Sequence, residues 1–308
     1  MKVDVIIPVY KPGQSFFAVI DKLEHQSVPV NQIILANTEE KHFVSLMNEC
    51  NLLEEYDNIR VIHLKKDEFD HGKTRDMAVQ ESQGEIFVMM TQDATPKDET
   101  LIENLLQGLD KDNICACYAR QLPYEGCRTI ESFQRQFNYG KESCEKYMKD
   151  VDRLGIKTFF CSNVCCAYKR DVYDKVGGFV KRAIFNEDMI YACTAMKAGY
   201  GIAYNANAQV YHSHNYSFKQ QFQRNFDLGV SQVMHPEVFQ MVPSESEGIR
   251  SVKQGFSYLW KEKKYAEMLR LFFHSGCKYL GYRLGKKYEK LPISWVRAFS
   301  MNKEFWKK

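Results

Sequence analysis

Four short apolar runs, each ended by polar residues, set the limits on what this chain can fold into. They are VDVIIPV (3–9), NQIILA (31–36), IRVIHL (59–64) and EIFVMMT (85–91). Stretches of helical length separate them, among them 73–82 and 98–108. Strands that are apolar almost throughout are buried on both faces, and helical crossovers between them imply a parallel sheet covered on both sides. The expected class is α/β. Beyond Asn113 the pattern loosens. ICACYA (114–119) reads as a strand, TIESFQRQFNYGKE as a helix, and IFNEDMIYACTAMKAGY as a helix capped by Asn186 and closed at Gly199. IAYNANAQVYHSHNY predicts two short strands. Ser217 to Gln220 forms a capping box opening an amphipathic helix, with Phe218, Phe222 and Phe226 on one face and Gly229 at its end.

At 308 residues the chain can bury a core large enough for one α/β domain with an appendage. No segment approaches the roughly 18 apolar residues of a membrane span. The first ten residues, broken by Asp4 and Pro8, lack the apolar core of a signal peptide, so a cytoplasmic protein is expected. The ten cysteines form no paired C-x-x-C knuckles and read as free thiols in a reducing compartment. Neither G-x-G-x-x-G nor G-x-x-x-x-G-K-[ST] occurs, which argues against dehydrogenase and P-loop chemistry. A phosphate bound here would need a metal ion for much of its neutralisation.

In open α/β sheets ligands bind beyond the carboxyl ends of the strands. Pro8-Val9-Tyr10, Ala36-Asn37-Thr38, Asp70-His71-Gly72 and Gln92-Asp93 all fall there. Asp93 either anchors an octahedral Mg2+ or Mn2+, leaving positions for diphosphate oxygens, or starts an Asx-turn before Pro96. Glu187 and Asp188 either complement a helix dipole or supply an ionised general base. The Gly177-Gly178 turn before them would let the backbone approach a ligand. On a strand, His212 and His214 would point to one side, as structural residues or as a pair contacting metal or diphosphate.

In order, P-V-Y, H-G-K-T-R-D, Q-D-A, G-G-F with N-E-D-M, and H-S-H-N-Y-S resemble the inverting family 2 glycosyltransferases of GT-A fold, particularly the bacterial rhamnosyltransferase branch. The resemblance runs from about residue 1 to 235. It implies a nucleotide-sugar half (1–112) and an acceptor half (113–240) in one domain, followed by a tail (241–308). By position, Pro8, Val9 and Tyr10 would line the nucleoside pocket, and Asn37 stands where the family usually has an acidic residue contacting the base. His71, Gly72 and Arg75 would approach the diphosphate, with Asp76 replacing a common asparagine. Gln92-Asp93 occupies the D-x-D position, Asp188 matches the catalytic base with Glu187 beside it, and His212 or His214 would complete the metal site. The implied donor is dTDP-rhamnose or a UDP-sugar, the acceptor a glycan or lipid-linked saccharide. Gln221-Phe-Gln-Arg224 is similar to the Q-x-x-R-W of processive relatives, but Asn225 replaces the tryptophan, and a plain amphipathic helix is the expected reading.

The net charge of +3 hides an asymmetry: residues 250–308 carry 15 Lys and Arg against 4 Asp and Glu, leaving an acidic body. A basic, aromatic tail suits helices lying on an anionic membrane, or packing on the domain with a solvated face. No recognisable nucleic-acid module accompanies it, so no nucleic-acid partner is expected. A sugar-phosphate nucleotidyltransferase is the alternative enzyme class, but its glycine-rich, basic N-terminal loop is reduced here to Lys11-Pro12-Gly13.

Overall fold

The computed structural model describes residues 1–47, 55–242 and 245–307. Strands β1 (Val3–Tyr10), β2 (Gln32–Thr38), β3 (Ile59–Leu64) and β4 (Ile86–Met90) take up the four apolar runs, with helices α1 (Ser15–Glu24), α2 (Glu40–Met47) and α3 (His71–Gln80) among the segments between them. Residues 16, 19, 20 and 23 of α1 are buried at the i, i+3, i+4, i+7 spacing of one helix face. Each such side chain contributes roughly 1.5–3 kcal/mol on burial.

Further along come β5 (Thr95–Pro96), α4 (Leu101–Gln107), β6 (Ile114–Leu122), α5 (Thr129–Asn138), β7 (Cys144–Lys146), β8 (Cys165–Lys169), α6 (Glu187–Lys197) and β9 (Gly201–Tyr211). Among the described residues one nine-stranded sheet forms in the order β3-β2-β1-β4-β8-β6-β9-β5, with β7 on β9. The β3-β2-β1-β4 half is parallel throughout, and β8 joins it antiparallel. Alternate strand residues supply two cores. Ile6, Ile34 and Phe87 pack on one face; Ile7, Leu35 and Val88 pack on the other. Asp4, inside β1, is fully buried and accepts from Asn31, Ser82 and the Gln83 and Gly84 amides, which offsets the cost of enclosing a charge.

Three expectations are corrected. Residues 202–211 belong to one strand, not two, and His212 and His214 lie past its end. Within β9 the Asn207 amide donates to Asn205 Oδ1 at 3.0 Å, where the pairing with β6 shifts register in a bulge. Asn186 does not cap α6 with its side chain; it adopts a left-handed φ of 65° and donates to Ser231 Oγ. Gly199, with φ of 94°, does follow the helix as expected.

The third concerns Gly229. Helix α7 (Phe218–Met234) opens on the predicted Ser217–Gln220 capping box but continues beyond Gly229. The tail adds α8 (Glu245–Lys261), α9 (Tyr265–Gly285) and α10 (Ile293–Phe299). Helix α9 crosses α7 at glycines. A Cβ on Gly229 would lie 2.5 Å from the Tyr282 carbonyl, and one on Gly285 2.1 Å from that of Phe226. Gly229 therefore serves backbone approach rather than helix termination, and the tail is packed on the body. The nine described cysteines are free.

Candidate active site

The polar residues after the apolar strands are placed by hydrogen bonds across strand ends. Gln92 spans from β4 to β1: its Oε1 accepts from the Tyr10 amide at 2.7 Å and its Nε2 donates to the Tyr10 carbonyl at 3.0 Å. This double bond pattern fixes the turn carrying Asp93. Tyr124 holds the same turn by donating its hydroxyl to the Asp93 carbonyl, while its amide donates to Ser213 Oγ, bringing the loop after β9 alongside.

The Asp93 carboxylate faces two histidines: His214 Nε2 at 3.2 Å and His212 Nε2 at 3.6 Å. The two Nε2 atoms are 2.9 Å apart, and one ligand atom from each of the three residues lies within 4.8 Å of the others. His212 Nδ1 meets Gln121 Oε1 at 2.9 Å. That oxygen also accepts from Arg135, while the Gln121 amide nitrogen serves Tyr139 and Ser162. His212 therefore donates through Nδ1, leaving the Nε2 lone pair toward Asp93. Burial pushes both imidazoles below their ordinary pKa, aided at His212 by His214, Arg135 and Arg224 and opposed at His214 by the Asp93 charge, so both are neutral at neutral pH. One carboxylate and neutral imidazole lone pairs converging on one point fit a divalent cation, as the sequence suggested.

Across the same cleft, Asp188 sits in the first turn of α6. Its Oδ2 accepts from the Asn163 amide at 3.0 Å and Oδ1 from the Met189 amide at 2.8 Å. Burial first, and the adjacent Glu187 charge second, push its carboxyl up to about 7. Glu187 takes a different role. It is buried against Arg75 Nε at 3.2 Å and accepts from Asn163 Nδ2 at 3.0 Å. Burial opposes its ionisation, but Arg75, His71 and Asn163 outweigh that and hold its carboxyl below the usual range. Glu187 is thus tied into an ion pair, and Asp188 is the carboxylate with a base's pKa.

Two adjoining cavities share His71, Phe185 and Arg224. The larger, about 530 Å³, holds Asp93, His212, His214, Arg75 and Asp188. The other, about 420 Å³, is lined by Tyr10, Thr38 and Lys66 at the ends of the first three strands. The remaining expected donor residues lie outside these walls. Pro8 is half-buried, and Val9 packs in the core on the far side of the sheet. Asn37 is fully buried and pairs with His63 at 3.0 Å. Gly72 serves packing: a Cβ there would lie 1.8 Å from the Val180 carbonyl. Gly178 does likewise, against Asp76 and Tyr173, whereas a Cβ on Gly177 would meet nothing within 4 Å. Asp76 is buried, bonded to Tyr173 and paired with Lys181.

The sequence profile described as Glycosyl transferase family 2 matches residues 4–177, a span ending on the double-glycine turn before the acidic pair. The chain belongs to glycosyl transferase family 2. Two curated relatives are similar to this family 2 transferase over nearly all of both chains. The O-antigen chain rhamnosyltransferase RfbN of Salmonella typhimurium is 35% identical over 308 residues, covering 99% of this chain and 96% of its own. The O-antigen chain rhamnosyltransferase WbaN of Salmonella anatum is 36% identical, covering 98% and 95%. Among solved structures, the mannosyltransferase PcManGT from Pyrobaculum calidifontis, in complex with GDP-Man and Mn2+, superposes with a TM-score of 0.60 at 12% identity, covering 94% of this chain and 86% of that one. S. aureus TarS 1–349 in complex with UDP-GlcNAc gives 0.52 at 13% identity, covering 94% and 92%. The fold is the GT-A arrangement expected from the resemblance.

Several residues of this transferase's site escaped sequence reading. Gln221 and Arg224 line the larger cavity from α7, so Gln221-Phe-Gln-Arg224 is more than a plain amphipathic helix. Arg224 stacks over Phe185, 4.4 Å from the ring centroid, and faces both cavities. Asn163, which holds both carboxylates, and Gln121, which orients His212, were signalled only by polar residues interrupting apolar segments. Glu131 and Arg135 of α5 and Lys278 of α9 carried no local signal.

Proposed function

We propose that this glycosyltransferase moves L-rhamnose from dTDP-rhamnose to a hydroxyl of a glycan or lipid-linked saccharide, with inversion, in cell-surface polysaccharide synthesis. One observation carries the reading: a single cleft holds the Asp93–His212–His214 group and a carboxylate, Asp188, whose pKa is raised to about 7. The two curated relatives, both named rhamnosyltransferases, support the choice of sugar.

Asp188 accepts the proton of the acceptor hydroxyl as that oxygen attacks the anomeric carbon, and its two amide bonds keep the carboxylate aimed. Asp93, His212 and His214 are the residues that would hold Mn2+ or Mg2+. Bound there, a divalent cation would supply charge compensation for the departing nucleoside diphosphate. Arg224 faces the same charge from α7, and Arg75, fixed by Glu187, lines the wall between. Tyr10 offers a ring 37% exposed at the end of β1 for the nucleoside.

The test is turnover with a panel of nucleotide sugars, with and without Mn2+ or Mg2+. dTDP-rhamnose should be the preferred donor and chelation should abolish transfer. Equal or better use of UDP-hexoses would remove the rhamnosyl assignment and leave the fold untouched.

The tail gives the enzyme a place. No described helix is long and apolar enough to cross a membrane. Yet α9 exposes Leu269, Phe272, Phe273, Tyr279 and Leu280 beside a strongly basic composition. We infer that this face rests on an anionic bilayer at the cytoplasmic side of the cell membrane. Flotation with vesicles containing an anionic lipid should carry the protein up, and Phe272→Glu should leave it at the bottom. Equal flotation of the two proteins would exclude this face.

A further inference from the structure

The C-terminal tail reaches both cavities: Met301 to Glu304 line the smaller one, and Lys278 of α9 lines the larger one that also holds Asp188. Helix α9 is held there from two sides. Gly281, one turn beyond Lys278, leaves no room for a side chain, since a Cβ would lie 2.2 Å from the Phe222 carbonyl of α7. On the other side, Leu271 of α9, Leu259 of α8 and Ile130 of α5 form a buried cluster. Lys278 Nζ donates to Gln134 Oε1 of α5 at 3.4 Å, and both residues line the larger cavity.

Helix α9 distributes its side chains the opposite way from an ordinary surface helix. Arg270 and Lys278 are half-buried and His274 is 4% exposed, at i, i+4, i+8 spacing, whereas Leu269, Phe272 and Phe273 are exposed. Near this polar stripe stands Glu131, in the first turn of α5, 4% exposed and lining the same cavity. Burial pushes its carboxyl up, against the pull of Lys278, Arg135, Arg128 and Arg270. A carboxylate so enclosed is ordinarily paired. Glu131 accepts no hydrogen bond and joins no ion pair among the described residues, while its oxygens keep accessible surface. The cavity thus offers a strong acceptor with no protein donor, close to an ammonium and a side-chain amide. Neighbouring hydroxyls of a pyranose can donate to one carboxylate and accept from an ammonium and an amide, so the wall suits a neutral sugar. An anionic group would meet the Glu131 charge.

We propose that Glu131 and Gln134 of α5 and Lys278 of α9 form the subsite for the acceptor's terminal sugar, in the cavity that holds Asp188. The tail is then part of the acceptor site, beyond the acceptor half expected over 113–240. The proposal rests on the reading that this transferase uses a saccharide acceptor.

Saturation-transfer NMR of the full chain with a panel of methyl hexopyranosides, in the presence of dTDP and Mg2+, tests it, with calorimetric titration of dTDP alongside. The wild-type protein should bind at least one hexoside. Glu131→Gln keeps the shape of the side chain and Lys278→Met keeps its stem. Each should weaken hexoside binding by about tenfold, the worth of one hydrogen bond to a charged group, and leave dTDP affinity and the melting temperature unchanged. Unchanged hexoside affinity in both variants overturns the proposal, as does a wild-type protein that binds no hexoside. Hexose 1-phosphates bound more tightly than the methyl hexosides would make the wall an anion site and overturn it too. So would hexoside and dTDP affinity lost together, the mark of a structural role. Failure to bind dTDP, with the hexoside results as expected, removes the donor reading and leaves this wall in place.

Discussion

Asp188→Asn is expected to slow sugar transfer by about 10²–10⁴-fold, the usual contribution of a general base, while nucleotide binding persists. The asparagine keeps an oxygen that can accept one of the amide bonds now made by Asn163 and Met189, so the site should hold its shape. What is lost is the capacity to accept a proton. The same carboxyl sets the pH dependence. Burial and the Glu187 charge raise it to about 7, so the base is ionised above that pH and becomes protonated below it. Transfer in the wild-type protein should therefore fall as the pH drops through about 7, and the residual rate of Asp188→Asn should lack that acid limb. Single-turnover rates across pH, alongside nucleotide titrations, check both statements. Near-normal turnover in Asp188→Asn would remove Asp188 from the base role.

Asp93→Ala should abolish metal-dependent donor binding. It removes the carboxylate from a group otherwise made of two neutral imidazoles. Mutations of residues that merely orient metal ligands typically lower affinity about 10–100-fold, so loss of the carboxylate itself should cost at least about 100-fold. Mn2+ binding followed by electron paramagnetic resonance, without donor or acceptor, reads this independently of turnover. Gln121→Met should show the smaller, orienting effect, because His212 would lose the acceptor that fixes its Nδ1–H. Mn2+ affinity in Asp93→Ala equal to that of the wild-type protein would move the metal site elsewhere.

Much of this site was written locally. Apolar runs that stop at Tyr10, Thr38 and Gln92 mark strand ends, and strand ends in such sheets are where ligands bind. Asp93 stood out because it follows such a run, Asp188 because it opens a predicted helix, and the two histidines because they would share one side of a strand. The histidines converge for a different reason than the alternation of a strand: β9 ends at Tyr211, and the loop beyond it is held against Asp93 by Ser213 and Tyr124. The division of labour between Glu187 and Asp188 was not legible, since it depends on Arg75, which lies more than a hundred positions earlier. Arg224, Lys278 and Met301–Glu304 were hidden for the same reason. Helices α7 and α9 carry the first two into the cleft by packing at Gly229, Gly281 and Gly285, and a glycine's role in a helix crossing appears only with its partner. The basic tail looked like an appendage because charge and aromatic content record its exposed face, whereas its inner face closes both cavities.

The most direct measurement is the anomeric configuration of the product, followed by NMR as it forms from dTDP-rhamnose and a saccharide acceptor. In the proposed mechanism a single base, Asp188, lies across the cleft from Asp93, His212 and His214, which would hold the cation that binds the leaving group, so the new glycosidic bond should have the configuration opposite to that of the donor. Retention of the donor's configuration would contradict the mechanism.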